Sequence, residues 1–280
     1  MSKKKLPILK PLSPLIDAHT YIDNCIMHNM ENISSLMDLA EITGVSQLIA
    51  LAYNLYSARW VTVVTECESR IYGAVALHPS FASELNIYTK YELEKLADHQ
   101  YVVAIGKTGI DLKYKKEKSK KFISFDIQQK NFIWHINLAK RTNKPLIICS
   151  YNADNKVLDV LNVEGFPNKV VFNCFSSGPK VAQVYINSGQ ILSFSGIINL
   201  KRLTSIKASA IITPLKQLLI GSSTSFLFPH SFYGVSSSSY CLMYIIRTLA
   251  KFLDRSAQEI AFETSYNASN LYNIPTRKYN

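Results

Sequence analysis

The residues able to do chemistry in this chain are scattered singly. They are His19 and Tyr21 in DAHTYID, His78 in ALHPS, Lys107 and Asp111 in AIGKTGID, Cys149 in IICSYNAD, Asn173 in VFNCFSSG, Ser223 in LIGSSTS and His230 in FPHS. Imidazole, thiol and carboxylate groups are the usual donors to a divalent metal, and a Cys/His pair is the usual basis of metal-free nucleophilic attack. Cys149 and His19 form a conceivable pair of that second kind, but a small apolar cysteine filling space is the favoured reading of Cys149. Ser222, Ser223 and Thr224 lack the glycine frame of a nucleophile elbow. The five cysteines include no C-x-x-C pair, so they indicate neither a disulfide framework nor a cysteine zinc site. No glycine-rich dinucleotide fingerprint follows the first strand-like run, and there is no phosphate loop.

Charge adds a second kind of candidate. The 280 residues carry 31 Lys+Arg against 20 Asp+Glu, a formal charge of +11. Most of it sits in two stretches, Lys3, Lys4, Lys5 and Lys10 near the start, and the run KYKKEKSKK over residues 113–121. The lysines of that run are Lys113, Lys115, Lys116, Lys118, Lys120 and Lys121. A solvated loop is the plain reading of such a run, and a docking site for nucleic acid or another polyanion is the sharper one. No apolar run approaches the roughly 18 residues of a membrane span, so no membrane partner is expected and a cytoplasmic location is.

The elements that must position these residues follow from periodicity. Near-continuous apolar runs at residues 14–19, 45–52, 71–79, 101–109, 145–150, 169–176, 190–196 and 217–223 read as strands. Between them lie amphipathic stretches that read as helices, the longest over residues 124–143. Strands without polar alternation belong in a parallel sheet covered on both faces. Eight of them alternating with helices predict an α/β fold, a single (β/α)8 TIM-type barrel, with a basic tail at 1–14 and the barrel domain over 15–280. In that fold reactive groups stand where strands end, which is where the residues above fall.

In register, the fragments DAHTYID, ALHPS, VVAIGKTGIDLKY, NKPLIICS, NCFSSG, ILSFSG, LLIGSSTSFLFP and NASNLY resemble the motifs of the TatD-type metal-dependent deoxyribonucleases, amidohydrolase-like barrels, over residues 16–272. The resemblance implies one or two divalent ions held by two histidines after the first strand, a glutamate after the fourth, histidines after the fifth and sixth, and an aspartate after the eighth. Here those places hold His19, Tyr21, Lys107, Cys149, Asn173 and Ser223, so only His19 keeps its ligand type. A carboxylated lysine, as in some wider amidohydrolases, would restore one carboxylate at Lys107 and leave the other places unsupplied. His78, Asp111 and His230 match family positions and are candidates for substrate binding.

Ligand counting therefore predicts that no metal or other cofactor is needed. It predicts a pseudoenzyme, a TatD-like barrel without nuclease activity that binds nucleic acid or a protein partner. The alternative is a divergent metal-dependent hydrolase (deoxyribonuclease) acting on phosphodiester bonds with Mg, Mn or Zn. On the first reading the Lys107 ammonium replaces the ion and is satisfied by oxygens of residues such as Tyr21, Asn173, Ser223, Asp17 or Asp111. His28, His99 and His135 read as ordinary surface or core histidines.

Overall fold

The computed structural model describes residues 12, 14–22, 31–112, 122–199, 204–223 and 239–277. Its strands are β1 (Leu15–Thr20), β2 (Val45–Leu51), β3 (Ile71–Val75), β4 (Val102–Asp111), β5 (Leu146–Tyr151), β6 (Val170–Phe172), β7 (Ile191–Phe194) and β8 (Leu218–Ile220). The helices are α1 (Glu31–Ile42), α2 (Leu55–Cys67), α3 (Ile87–Ala97), α4 (Phe125–Thr142), α5 (Asp154–Glu164), α6 (Pro179–Asn187), α7 (Thr204–Ile212), α8 (Leu242–Leu253) and α9 (Ala257–Tyr272). The strands lie in one sheet in the order β1 to β8, with parallel pairing. This is the (β/α)8 TIM-type barrel expected from the sequence. Every residue of β1 and of β2 is buried, as strands covered on both faces must be.

Several strands end earlier than their apolar runs, for local reasons. After β3, His78 caps a 3-10 turn over Pro79–Glu84, its side chain accepting from the Ser80 N–H. After β6 the ladder closes with Asn173 N–H donating to the Ile148 carbonyl, and Cys174 turns away at φ 52°. Helix α3 begins at Ile87, because the Asn86 side chain accepts from Thr89 N–H and starts the helix there.

By contacts the described residues group into two compact units. One takes in the described parts of residues 1–50, 68–71 and 174–280. Within it β8 returns beside β1, where Ser223 N–H donates to the His19 carbonyl at 3.2 Å. Helix α9 packs on β1, with the Tyr272 hydroxyl donating to Ala18 O at 3.1 Å and Ser265 Oγ accepting from Ile16 N–H at 3.3 Å. The other unit comprises residues 51–67 and 72–173. Its β4, β5 and β6 are consecutive neighbours, and α4 packs against β4. No helix among the described residues is long and apolar enough to cross a membrane.

Candidate metal centre

In the second unit the ligand atoms of His78, Asp111 and Cys149 all lie within 4.8 Å of one another. The three come from the segment after β3, the end of β4, and β5. The parallel sheet brings them together because Asp111 and Tyr151 end a register that also sets Gly109 opposite Cys149. At Gly109, φ is 128° and a Cβ would stand 2.2 Å from the Cys149 carbonyl oxygen. Only glycine lets β4 come this close to β5 there.

Helix α4 holds two of the three ligand-bearing segments through polar residues on one face. Gln128 Oε1 accepts from Asp111 N–H at 2.8 Å, and Gln128 Nε2 donates to Asp111 O at 3.2 Å. His135 Nε2 accepts from Leu77 N–H at 3.1 Å, and Asn131 Nδ2 donates to Leu77 O at 3.0 Å. The peptide just before His78 is thus gripped on both sides. His135 Nδ1 donates to the Asn131 carbonyl at 2.8 Å, which leaves Nε2 as the acceptor. Its burial pushes the imidazole pKa down to about 4, so it is neutral at physiological pH. His135 is a core histidine, as its sequence context suggested. The residues sequence reasoning missed are Gln128 and Asn131, whose signal was present: polar side chains three apart, with His135 four further on, on a helix face that should be apolar.

His78 is also neutral. Burial, and then the nearby Lys107 ammonium, push its pKa down to about 3. Its Nδ1 lies 2.5 Å from Ser80 Oγ. Nδ1 also accepts from the Ser80 N–H at 3.2 Å, which places the neutral ring's proton on Nε2, so ligation through Nε2 requires that proton to move to Nδ1, where Ser80 Oγ can accept it. Asn173 follows β6, is 6% exposed, and neither polar atom of its carboxamide has a hydrogen-bond partner. It therefore does not satisfy Lys107 as the sequence reading allowed. A buried amide left unpaired costs about 1–3 kcal/mol, so one that persists at a strand end marks a place where a ligand can be received. Donor set and orphaned amide together fit a bound divalent ion and its substrate.

The His19 end, in the first unit, is built differently. His19 is fully buried, its Nδ1 2.7 Å from Ser223 Oγ and its Nε2 hydrogen-bonded to Ser193 Oγ. Cys174 Sγ also lies 2.7 Å from Ser223 Oγ. The buried Asp17 carboxylate accepts from Ser222 N–H at 2.8 Å, Ser222 Oγ at 2.6 Å and Ser239 Oγ at 2.7 Å. Burial raises its pKa to about 6 despite these bonds. With both imidazole nitrogens and the carboxylate engaged by hydroxyls, this group is a closed hydrogen-bond network, and it does not fit a metal. The network leaves no spare volume: a Cβ on Gly221 would stand 2.3 Å from ring atoms of His19. Gly221→Ala is therefore expected to cost about 1–3 kcal/mol by overpacking. An unchanged urea midpoint would show that the His19 ring yields.

The remaining sequence candidates fall as follows. Tyr21 follows β1 and is partly exposed, and Lys107 lies within β4 beside His78. His99 pairs with Glu66 at 2.9 Å on the surface. His28, His230 and the lysines Lys113, Lys115, Lys116, Lys118, Lys120 and Lys121 lie outside the described residues.

Residues 16–273 match the family model described as TatD related DNase. A protein of Mycobacterium tuberculosis named as the uncharacterized metal-dependent hydrolase TatD is 39% identical over 260 residues, covering 93% of this chain and 98% of that one. The metal-dependent hydrolase YabD of Bacillus subtilis is 28% identical, covering 93% and 99%. The crystal structure of the TatD homologue YjjV from Escherichia coli superposes with a TM-score of 0.83 at 22% identity, covering 94% of this chain and all of that one. These relatives are named as metal-dependent, which overturns the expectation that no metal or other cofactor is involved. Counting only the inherited ligand places missed the set formed by His78, Asp111 and Cys149, two of which had been read as substrate contacts and one as packing.

Proposed function

Because this chain belongs to the family of TatD-related DNases, we propose that it is a divergent metal-dependent hydrolase of phosphodiester bonds whose ion is held by His78, Asp111 and Cys149. The observation that carries this reading is the mutual approach of the three ligand atoms within 4.8 Å. The chemistry such an ion supplies is activation of water and polarisation of a phosphoryl oxygen. The chain's own residues do the rest. Gln128, Asn131 and His135 hold the backbone at Asp111 and Leu77, so two of the ligands arrive already positioned. The Lys107 ammonium, close enough to His78 to lower its basicity, offers a positive charge to a phosphodiester oxygen. The unpaired Asn173 amide supplies a further donor.

The test is incubation of the purified protein with single- and double-stranded DNA in magnesium, manganese or zinc. Cleavage that a chelator abolishes supports the reading, and the absence of cleavage with every ion overturns it. A second reading, binding of nucleic acid without cleavage, is favoured by the His19 network, where the hydroxyls of Ser193 and Ser223 occupy the imidazole. It is supported if DNA is retained but never cut.

Either reading gives the lysines that follow Asp111 a use. Each phosphate neutralised releases counterions, so affinity falls with salt. Replacing Lys115, Lys116, Lys118 and Lys120 by glutamine is expected to weaken binding to duplex DNA. It should also flatten the slope of log affinity against log salt by up to about 3 to 4. A wild-type slope near zero in filter-binding titrations would assign the run to solvent.

A further inference from the structure

The donor set says which ion the site takes. An ion bound by His78, Asp111 and Cys149 meets one imidazole nitrogen, one carboxylate oxygen and one sulfur. Magnesium prefers a shell of six oxygens and gives up its water reluctantly. Here it would find a single hard donor. Zinc binds imidazole, carboxylate and thiolate alike, and three protein ligands with one open position is the ligand count of its catalytic sites. Resting on the hydrolase reading above, we infer that Cys149 binds as a thiolate and makes this centre select zinc, or another thiolate-preferring ion, over magnesium.

Four features support the inference. Cys149 is 7% exposed, so its sulfur is shielded from bulk water while facing His78 and Asp111. Its backbone is fixed by pairing with Gly109 at a point where no side chain larger than hydrogen fits. Ser80 Oγ, 2.5 Å from His78 Nδ1, can accept a proton from that nitrogen, which stabilises the tautomer in which Nε2 ligates the ion. Thiolate and carboxylate together bring two negative charges, which balance a divalent ion. The thiol proton is released when the ion binds, as in any cysteine–metal bond.

Cobalt(II) gives the test a readout separate from catalysis, because a cobalt–thiolate bond produces a sulfur-to-metal charge-transfer band in the near ultraviolet. Protein stripped with chelator is titrated with cobalt, then with zinc and, separately, with a large excess of magnesium. The expected result is a charge-transfer band at one cobalt per chain, erased by one equivalent of zinc and untouched by magnesium. Changing an outer-shell partner of a metal ligand costs roughly 10- to 100-fold in affinity, and loss of a direct ligand costs more. Cys149→Ser should therefore abolish the band and weaken zinc binding beyond that range, with its far-ultraviolet circular dichroism checked against wild type. Asp111→Asn is the second variant. It should weaken binding but keep the band, since the sulfur is still present. Cobalt that binds in a His78-dependent way without the band, a band that survives Cys149→Ser, or displacement by magnesium overturns the thiolate inference and leaves the hydrolase reading standing. Failure of cobalt and zinc to bind at all overturns both.

Discussion

Replacing His78 by alanine is expected to lower metal-dependent phosphodiester hydrolysis by at least about a hundredfold, roughly 2.7 kcal/mol in transition-state stabilisation. Removing one of three ligands leaves an ion with two protein donors, too few to hold it in place of bulk water. Elemental analysis of the variant should find the ion gone as well. Asp111→Asn should act in the same direction and less strongly, because an amide oxygen remains. His19→Ala makes the contrast. Its ring is hydrogen-bonded to Ser193 and Ser223, so its loss should lower the melting temperature while leaving the metal content near that of wild type. If His19→Ala empties the protein of metal and His78→Ala does not, the ion belongs at the inherited position and is not held by His78, Asp111 and Cys149.

The second large effect is a pair of opposite pH dependences. His135 titrates near 4 in the folded chain, against an ordinary value of 6.5. Between those pH values the unfolded chain holds the extra proton, so stability rises with pH and is lost as pH falls from about 6.5 to 4. At about 1.4 kcal/mol per pH unit the loss is about 3 kcal/mol. Asp17 moves the other way, from 3.8 up to about 6. There the folded chain holds the extra proton, and stability falls by about 3 kcal/mol as pH rises from about 4 to 6.

Differences between variant and wild type isolate each group from all others. His135→Gln retains an acceptor for Leu77 N–H and does not titrate. Its stability relative to wild type should improve by about 3 kcal/mol on going from pH 7 to pH 4. Asp17→Asn should lose about the same amount relative to wild type over that change. Urea denaturation at the two pH values measures both. Parallel pH profiles for wild type and either variant would show that the group titrates normally in the folded chain.

Much of this protein is legible in its residues alone. The apolar runs that became β1 to β8 are local signals, because a strand buried on both faces must be apolar throughout. Their alternation with helical stretches favours a barrel over an open doubly wound sheet, and the TatD-like motifs in register complete that reading. The same reading placed His19, Lys107, Cys149, Asn173 and Ser223 at or near strand ends and showed how far they depart from the ligands of TatD-type enzymes. The strand boundaries were less legible. They depend on single caps, such as His78 before Pro79 and Asn86 before α3, which compete with an apolar run that reads straight through.

What only the tertiary structure decided is which of these side chains meet. His78, Asp111 and Cys149 lie far apart in the chain, and the register of β4 against β5 and the turn after β3 bring their ligand atoms together. No spacing rule reports that, because the distance is set across strands and not along one. Nor could residue type alone show that His19 is closed off by serine hydroxyls while the residues around His78 keep a nitrogen, a carboxylate and a sulfur within reach of one ion. A histidine is a ligand or a hydrogen-bonded core residue according to what faces its nitrogens. In this chain the inherited histidine became the second kind, and His78, read at first as a substrate contact, is placed to be the first.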